Sequence, residues 1–270
     1  MNDVEPIARL MDALNPWRES LVIVGGWAHR LHRFVPGVHL PSYEPLRTKD
    51  ADITFSTISA PTGDMAGALK RAGFEEELTG DHKPPVTRYR LGKEDNGFYA
   101  EFLAPLFGDG KRRDGTEDAT VLEAGVTAQK LRYLDLLLIE PITVDLSSAS
   151  GIPTQIALSV RVVNPVTFIA QKLLIRKSRM PNKQAQDILY VHDTLELFSG
   201  EIDALRAMWN DRLKPKINPS IVKKIEDLSH SQFAQTTDAI RNAALIAPGR
   251  GLVAENVRAA CQYGLSEIFG

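Results

Sequence analysis

The sequence predicts an α/β domain with a mixed β-sheet, followed by an all-helical C-terminal domain. In the first part of the chain, short runs rich in β-branched residues alternate with stretches of helical spacing, as is typical of helices packed on a sheet. From Asn164-Pro165 almost to the C-terminus, the spacing of apolar residues is helical throughout. Asn164 suits a helix N-cap and Pro165 the first helical turn. We therefore predict two domains, residues 1–163 and 164–270.

Local patterns predict the elements of the first domain in order. Residues 3–14 have helical apolar spacing, and Asn15-Pro16 ends that helix. Leu21–Val24 is a short apolar run before two glycines, as expected of a buried strand that enters a tight turn. A helix begins near Trp27, and another covers residues 64–72. Further strands are predicted at residues 49–55, 87–91, 98–103, 142–146 and 154–163.

Composition excludes several classes of protein. The chain has 270 residues, 43% of them hydrophobic, which is enough for a sizeable core. Its 32 basic and 34 acidic residues argue against nucleic-acid binding over the whole surface, although a local basic patch is compatible with them. Cys261 is the single cysteine, so no intramolecular disulfide forms. Because the N-terminus lacks a signal-peptide pattern and no apolar run is long enough to span a bilayer, we expect a cytoplasmic protein with no membrane association.

Two features in succession indicate chemistry. Gly25 and Gly26 follow the first strand, and glycine lets backbone N–H groups approach a phosphate without a Cβ in the way. Asp50 and Asp52 lie two residues apart on a predicted strand, so both carboxylates point to one face with their Cα atoms roughly 7 Å apart. Such a pair can hold two Mg²⁺ ions about 3.5–4 Å apart for phosphoryl displacement. Each feature alone is common in turns and on solvated strand faces, but together they indicate a catalytic site.

These motifs resemble a known superfamily. They read Val24-Gly25-Gly26-Trp27-Ala28 and Arg47-Thr48-Lys49-Asp50-Ala51-Asp52-Ile53. The chain resembles the DNA polymerase β-like nucleotidyltransferases and is most similar to the minimal and abortive-infection-toxin-type members. The resemblance implies a nucleotidyltransferase fold, NTP as substrate and two Mg²⁺ ions as cofactors. It also implies that Gly25 and Gly26 cradle the triphosphate.

The resemblance further implies a third carboxylate on a later strand. Glu101 follows Ala100 at that place in the sequence, where the family more often has Asp. Asp145 is the competing choice. The implied metal ligands and catalytic residues are therefore Asp50, Asp52 and Glu101, with the choice between Glu101 and Asp145 open.

The resemblance continues into the helical domain. Pro165-x-x-Phe168-x-x-x-Lys172-Leu173, followed by Arg179, Lys183 and Asp187, is similar to a segment of those relatives in which the lysine approaches the triphosphate. This implies nucleotide-binding roles for Lys172 and Asp187. From the residues alone, the basic side chains of residues 172–183 either cover a solvated helix face or attract NTP phosphates or an RNA backbone. In both interpretations, replacing Lys172 by alanine is expected to leave the melting temperature nearly unchanged.

The predicted reaction transfers a nucleoside monophosphate from an NTP to an acceptor hydroxyl and releases pyrophosphate. By analogy with the resembling group, RNA such as tRNA is the favoured acceptor, and the protein is a toxin with a cognate antitoxin protein as partner. The alternatives are an antibiotic- or protein-modifying nucleotidyltransferase and a catalytically idle relative that binds a nucleotide or a partner protein. Because the acidic residues precede residue 163 and the basic ones follow it, the site is expected in a cleft between the two domains.

His29 and His32 are a weaker candidate for a functional pair. They lie three residues apart on the predicted helix after the glycines, a spacing compatible with a metal site. No Cys or Glu lies near them in the sequence, so packing or capping is the favoured interpretation.

Overall fold

The computed structural model describes residues 4–56, 61–82, 84–93, 97–111 and 115–270. Within these residues, the strands are β1 Leu21–Val24, β2 Asp50–Phe55, β3 Glu75–Thr79, β4 Val86–Leu91, β5 Phe98–Pro105, β6 Thr120–Glu123, β7 Val126–Leu131, β8 Ile142–Leu146 and β9 Leu158–Val162. The helices are α1 Val4–Leu14, α2 Gly25–Leu31, α3 Met65–Arg71, α4 Pro165–Ile175, α5 Pro181–Leu197, α6 Ile202–Ala207, α7 Pro219–Ser231, α8 Asp238–Ile246 and α9 Ala254–Phe269.

The chain divides into two compact units. The sheet unit consists of Met1–Phe34 and Arg47–Val163, and the helical unit of Val35–Leu46 and Asn164–Gly270. No helix in the described part of the chain is long and apolar enough to cross a membrane.

The strands of the sheet unit form one mixed sheet. Among the described residues its order is β3-β4-β5-β2-β1-β9-β8, with β7 beside the C-terminal end of β5 and β6 beside β7. Strand β2 runs parallel to β5 and antiparallel to β1, and β1 runs parallel to β9. A mixed sheet followed by helices confirms the predicted fold class.

The central strands follow the apolar pattern of the sequence. All four residues of β1 are buried, as their uninterrupted apolar run predicts. On β2, Ala51 and Ile53 are buried, whereas Asp50 and Asp52 are partly exposed. The period-two pattern of this strand therefore places both aspartates on one face and the apolar side chains in the core.

Strand β3 was not predicted, because three consecutive glutamates are unfavourable in an isolated strand. Its register with β4 explains why it forms: Glu77 lies opposite Arg88, and Glu75 lies opposite Arg90. Arg88 Nη2 is 3.1 Å from Glu77 Oε2. Hydrogen bonds from Arg90 and Arg88 hold the pKa of the Glu77 carboxyl below its ordinary value. Cross-strand ion pairs thus replace the apolar contacts that usually stabilise a strand pair.

Helix α4 begins at the predicted cap. Asn164 Oδ1 accepts a hydrogen bond of 2.9 Å from the Thr167 amide, and Pro165 occupies the first turn of α4. Helix α5 packs against α8 and α9. A Cβ on Gly264 would lie 2.8 Å from Leu195 Cδ2, so this glycine allows α9 to approach α5 closely.

His29 and His32 are both buried, with 3% and 0% of their surfaces exposed. His32 Nε2–H donates a hydrogen bond of 2.7 Å to the Val163 carbonyl, which ties the turn after α2 to the end of the sheet unit. A carbonyl only accepts, so this nitrogen carries the proton. The contact supports the interpretation of packing for His32.

The burial of His32 gives the protein an acid-sensitive element. Burial lowers the pKa of His32 from 6.5 to about 4. Between these values the unfolded chain binds a proton at this residue and the folded chain does not, so stability is full above pH 6.5 and falls as the pH drops towards 4. We expect a loss of about 3 kcal/mol in the free energy of unfolding over this window, relative to His32→Gln.

Urea denaturation of the wild type and His32→Gln across this pH range measures that difference. His39 is exposed, so His39→Gln is the control and should follow the wild type. A wild-type stability that tracks His32→Gln at every pH would contradict the assignment.

Candidate active site

The turn between β1 and α2 brings backbone against a carboxylate. Gly25 has a φ of +64°, a backbone conformation that residues other than glycine rarely adopt. A Cβ at this position would lie 2.0 Å from Asp52 Oδ2. Glycine is therefore required here for two independent reasons, the backbone angle and the approach of Asp52. Gly26 follows in the first turn of α2 and is buried.

The carboxylates predicted from the sequence lie on neighbouring strands. The Cα of Asp52 pairs with that of Glu101 across the parallel β2–β5 ladder, and with that of Val24 across the antiparallel β1–β2 ladder. Directly opposed residues project to the same face, so Asp50, Asp52 and Glu101 share one face of the sheet. All three are partly exposed, whereas Ala51 between the aspartates is buried.

Arg88 is a neighbour of this site that the sequence did not reveal. It lies opposite Glu101 on β4, with its Nη1 atom 3.9 Å from Glu101 Oε1. Its guanidinium also lies 4.0 Å from the centre of the Tyr99 ring. Four charged residues from neighbouring strands form a row across the sheet, in the order Glu77, Arg88, Glu101 and Asp52. The arginine lies between two glutamates, and the second glutamate lies beside the aspartate. Arg88 offsets part of the negative charge that the carboxylates concentrate there.

Asp145 lies elsewhere in the sheet. It is exposed on β8, and β1 and β9 separate that strand from β2. Its Oδ1 atom accepts a hydrogen bond of 2.6 Å from the Ser159 hydroxyl on β9. The structure thus brings Glu101, and not Asp145, next to Asp52.

The donor set on this face suits Mg²⁺. Mg²⁺ takes oxygen ligands, mostly carboxylates, phosphates and water. Asp50, Asp52 and Glu101 offer carboxylate oxygens from two adjacent strands, and the absence of a Cβ at Gly25 makes room for the Asp52 carboxylate. The residues present therefore fit a divalent cation bound together with phosphate oxygens.

Lys172 and Asp187 contact each other in the helical unit, but not as exposed groups. Lys172 Nζ is 2.8 Å from Asp187 Oδ1, and the two side chains are 7% and 3% exposed. The Lys172 ammonium also lies 5.4 Å from the ring centres of Phe168 and Tyr190. This burial contradicts the exposed position on which the expectation of an unchanged melting temperature depends. The loss of Lys172 is instead expected to destabilise the protein, because it removes one cation from a buried carboxylate.

The other basic residues of this segment differ in their surroundings. Arg179 Nε is 3.2 Å from Asp187 Oδ2, so it shares the carboxylate with Lys172. Arg176 Nη1 donates to the Gln232 carbonyl at 3.2 Å, and burial lowers the pKa of its guanidinium. Lys177 and Lys183 are exposed. The basic run is thus only partly a solvated helix face.

The chain also matches a known protein family over most of its length. The sequence profile of the nucleotidyltransferases matches residues 2–214. The chain belongs to the nucleotidyltransferase family. The matched range includes every residue of the candidate site, from Gly25 to Asp187. The predicted superfamily is confirmed at this level, and the toxin-type subgroup stays a prediction.

One solved structure that this nucleotidyltransferase is similar to is the solution structure of the antibiotic-resistance factor ANT(2'')-Ia. The two share 14% identity over 92% of this chain and 98% of that chain, with a TM-score of 0.34. At this TM-score the likeness carries no argument about substrate. No curated protein matches the chain.

Proposed function

We propose that the protein transfers a nucleoside monophosphate from an NTP to the hydroxyl group of an RNA acceptor such as tRNA. The observation that carries the proposed nucleotidyl transfer is the placement of Asp52 beside both Glu101 and Gly25, within the range matched by the nucleotidyltransferase family. The RNA acceptor rests on the resemblance to toxin-type relatives. In the reaction, the acceptor oxygen forms a bond to the α-phosphorus, the bond to the β-phosphate oxygen breaks, and pyrophosphate leaves.

The residues of the sheet unit have distinct proposed roles. Asp50, Asp52 and Glu101 hold two Mg²⁺ ions, and Glu101 also orients the acceptor hydroxyl and takes its proton. Bound Mg²⁺ supplies positive charge that stabilises the attacking and leaving oxygens. The backbone N–H groups of Gly25 and Gly26 cradle the triphosphate.

In the helical unit, Lys172 is proposed to neutralise phosphate charge, with Asp187 holding the lysine in place. The 2.8 Å contact between the two side chains supports the positioning role of Asp187. We further propose that the protein acts as a toxin with a cognate antitoxin protein, which rests on the resemblance to toxin-type relatives.

Incubation with each NTP radiolabelled at the α-phosphate, Mg²⁺ and total RNA tests the proposal. We expect labelled RNA from the wild type and none from the Asp50→Asn/Asp52→Asn double variant. If protein or an added antibiotic is labelled and RNA is not, the labelled molecule is the acceptor and the proposal of an RNA acceptor is wrong. NTP binding without transfer to any acceptor would identify a catalytically idle relative.

The close approach of Gly25 to Asp52 yields a separate prediction. In Gly25→Ala the new Cβ displaces the Asp52 carboxylate, so we expect Mg²⁺-ATP to bind at least about tenfold more weakly in titration calorimetry. The positive φ also costs about 1–2 kcal/mol of stability. Gly151 provides the control because its φ is +84° and a Cβ there would meet no atom within 4 Å. Gly151→Ala should lose similar stability and keep its affinity; equal affinity in both variants would contradict the assigned site.

A further inference from the structure

A cavity of about 510 Å³ lies within the helical unit, and the proposed nucleotidyl transfer does not use it. Tyr43, three residues of α5, the segment around Arg250 and Leu252, and one side of α9 contribute to its walls. Its volume falls in the range of cavities that bind small organic molecules.

Arg250, at the polar end of the cavity, belongs to an ion pair that is already complete; its partner Asp193 lies behind the residues that line the cavity. Arg250 Nη1 lies 2.7 Å from Asp193 Oδ2, and the two side chains are only 8% and 3% exposed. Arg250 Nη2 donates to the Glu44 carbonyl at 2.9 Å, and the guanidinium lies 3.7 Å from the centre of the Tyr43 ring. Because both terminal nitrogens of Arg250 are engaged, this residue is a poor anchor for an anionic ligand.

Glu196 carries the negative charge that this ion pair does not offset. Its Oε2 atom accepts a hydrogen bond of 2.5 Å from the Tyr43 hydroxyl, and its side chain is 40% exposed. Within the described residues, no hydrogen bond reaches Oε1, and the nearest basic group is His192 Nδ1, 4.0 Å from Oε2. His192 Nδ1 is itself 3.1 Å from Asp193 Oδ1. Glu196 therefore offers a carboxylate oxygen to a ligand in the cavity.

The behaviour of Tyr43 is consistent with a negative potential at this end. Burial, together with the negative charges of Asp193 and Glu196, raises the pKa of its phenol well above the ordinary value. The same charges that disfavour a phenolate favour a cation placed nearby.

The remaining walls are largely apolar. They include Leu195, Ile202, Leu252, Ala260 and Tyr263. A ligand that matches both parts of the cavity has a positive charge near Glu196 and an apolar body against the remaining walls. We propose that this cavity binds an organic amine, whose protonated nitrogen pairs with Glu196 and whose apolar part packs against these residues.

A metal ion is the competing occupant. One ligand atom from each of His192, Asp193 and Glu196 lies within 4.8 Å of the others. Asp193, however, already forms an ion pair with Arg250 and a hydrogen bond with His192. A metal ion there would have to displace these contacts and sit beside a fixed positive charge, which favours the organic cation.

Titration calorimetry of the full chain with phenethylamine and with its neutral analogue 2-phenylethanol tests the proposal. We expect the amine to bind with a Kd of about 1 mM or below, in keeping with a fragment-sized ligand. The alcohol should bind at least about tenfold more weakly, because it lacks the charge that pairs with Glu196. Equal affinities, or no saturable binding of the amine, would overturn the proposal.

Two glutamate variants locate the site. Glu196→Gln keeps an acceptor for the Tyr43 hydroxyl and should weaken amine binding at least about tenfold. Glu255→Gln, at an exposed position on α9 outside the cavity lining, removes the same charge and should bind the amine as the wild type does. An unchanged affinity in Glu196→Gln would overturn the proposal, as would a wild type that binds Zn²⁺ through Glu196 and does not bind the amine. The comparison of amine and alcohol on the wild type decides the question even if Glu196→Gln does not fold.

Discussion

Replacing Asp52 by asparagine is expected to lower the rate of nucleotidyl transfer at least about 100-fold. Asn keeps the size of the side chain but removes one negative charge from a site that is proposed to hold two divalent cations. Asp52 lies between Glu101 and Gly25, whereas Asp50, the other carboxylate of β2, lies opposite Tyr99 and is therefore not equivalent to it. The rate of pyrophosphate release at saturating NTP and Mg²⁺ measures the effect.

The fold should survive this substitution. Three carboxylates on one face of the sheet repel one another without cations, so the loss of one charge does not destabilise the strands. Asp145→Asn is the matched control: it removes the same charge from β8 and should keep wild-type turnover. Wild-type turnover in Asp52→Asn would exclude Asp52 from the reaction, and loss of turnover in Asp145→Asn would reopen the choice of the third carboxylate.

Replacing Lys172 by methionine is expected to destabilise the protein by about 3–5 kcal/mol. The substitution removes the cation 2.8 Å from Asp187 Oδ1 and leaves a carboxylate that is 3% exposed. Arg179 still contacts Oδ2, but its side chain is 39% exposed and lies 3.2 Å away, so it compensates only in part. Denaturant unfolding followed by circular dichroism measures the change.

The double variant Lys172→Met/Asp187→Asn distinguishes the structural from the nucleotide-binding role of Lys172. Removing the buried carboxylate together with its partner should restore most of the lost stability, since no unpaired buried charge is left. If Lys172 also neutralises phosphate charge, the restored protein should still bind Mg²⁺-ATP more weakly than the wild type. Wild-type affinity in a stable double variant would restrict Lys172 to a structural role, and a single variant as stable as the wild type would contradict the buried ion pair.

Local sequence patterns were sufficient for the fold class and for part of the geometry of the candidate site. The apolar run of β1, the alternation of β2 and the Asn164-Pro165 cap each depend on residues that are adjacent in the chain. The position of Gly25 after β1 and the shared face of Asp50 and Asp52 follow from the same local geometry. These features could be predicted because no distant contact is needed to define them.

The tertiary structure decided the features that depend on pairing between distant segments. Strand β3 forms because its glutamates lie opposite the arginines of β4, although its own residues disfavour a strand. The β4–β5 register places Arg88 beside Glu101, and the β2–β5 register places Glu101, rather than Asp145, beside Asp52.

The burial of Lys172 is a further case of this kind. Charged residues at helical spacing usually indicate a solvated face, and only the packing of α4 against α5 places this ammonium against Asp187. The sequence by itself therefore determined which residues alternate between the two faces of a strand, which cap a helix and which form a turn, because these properties arise from neighbours along the chain. Which charges meet was decided by strand register and helix packing, because the partners are brought together only in the folded protein.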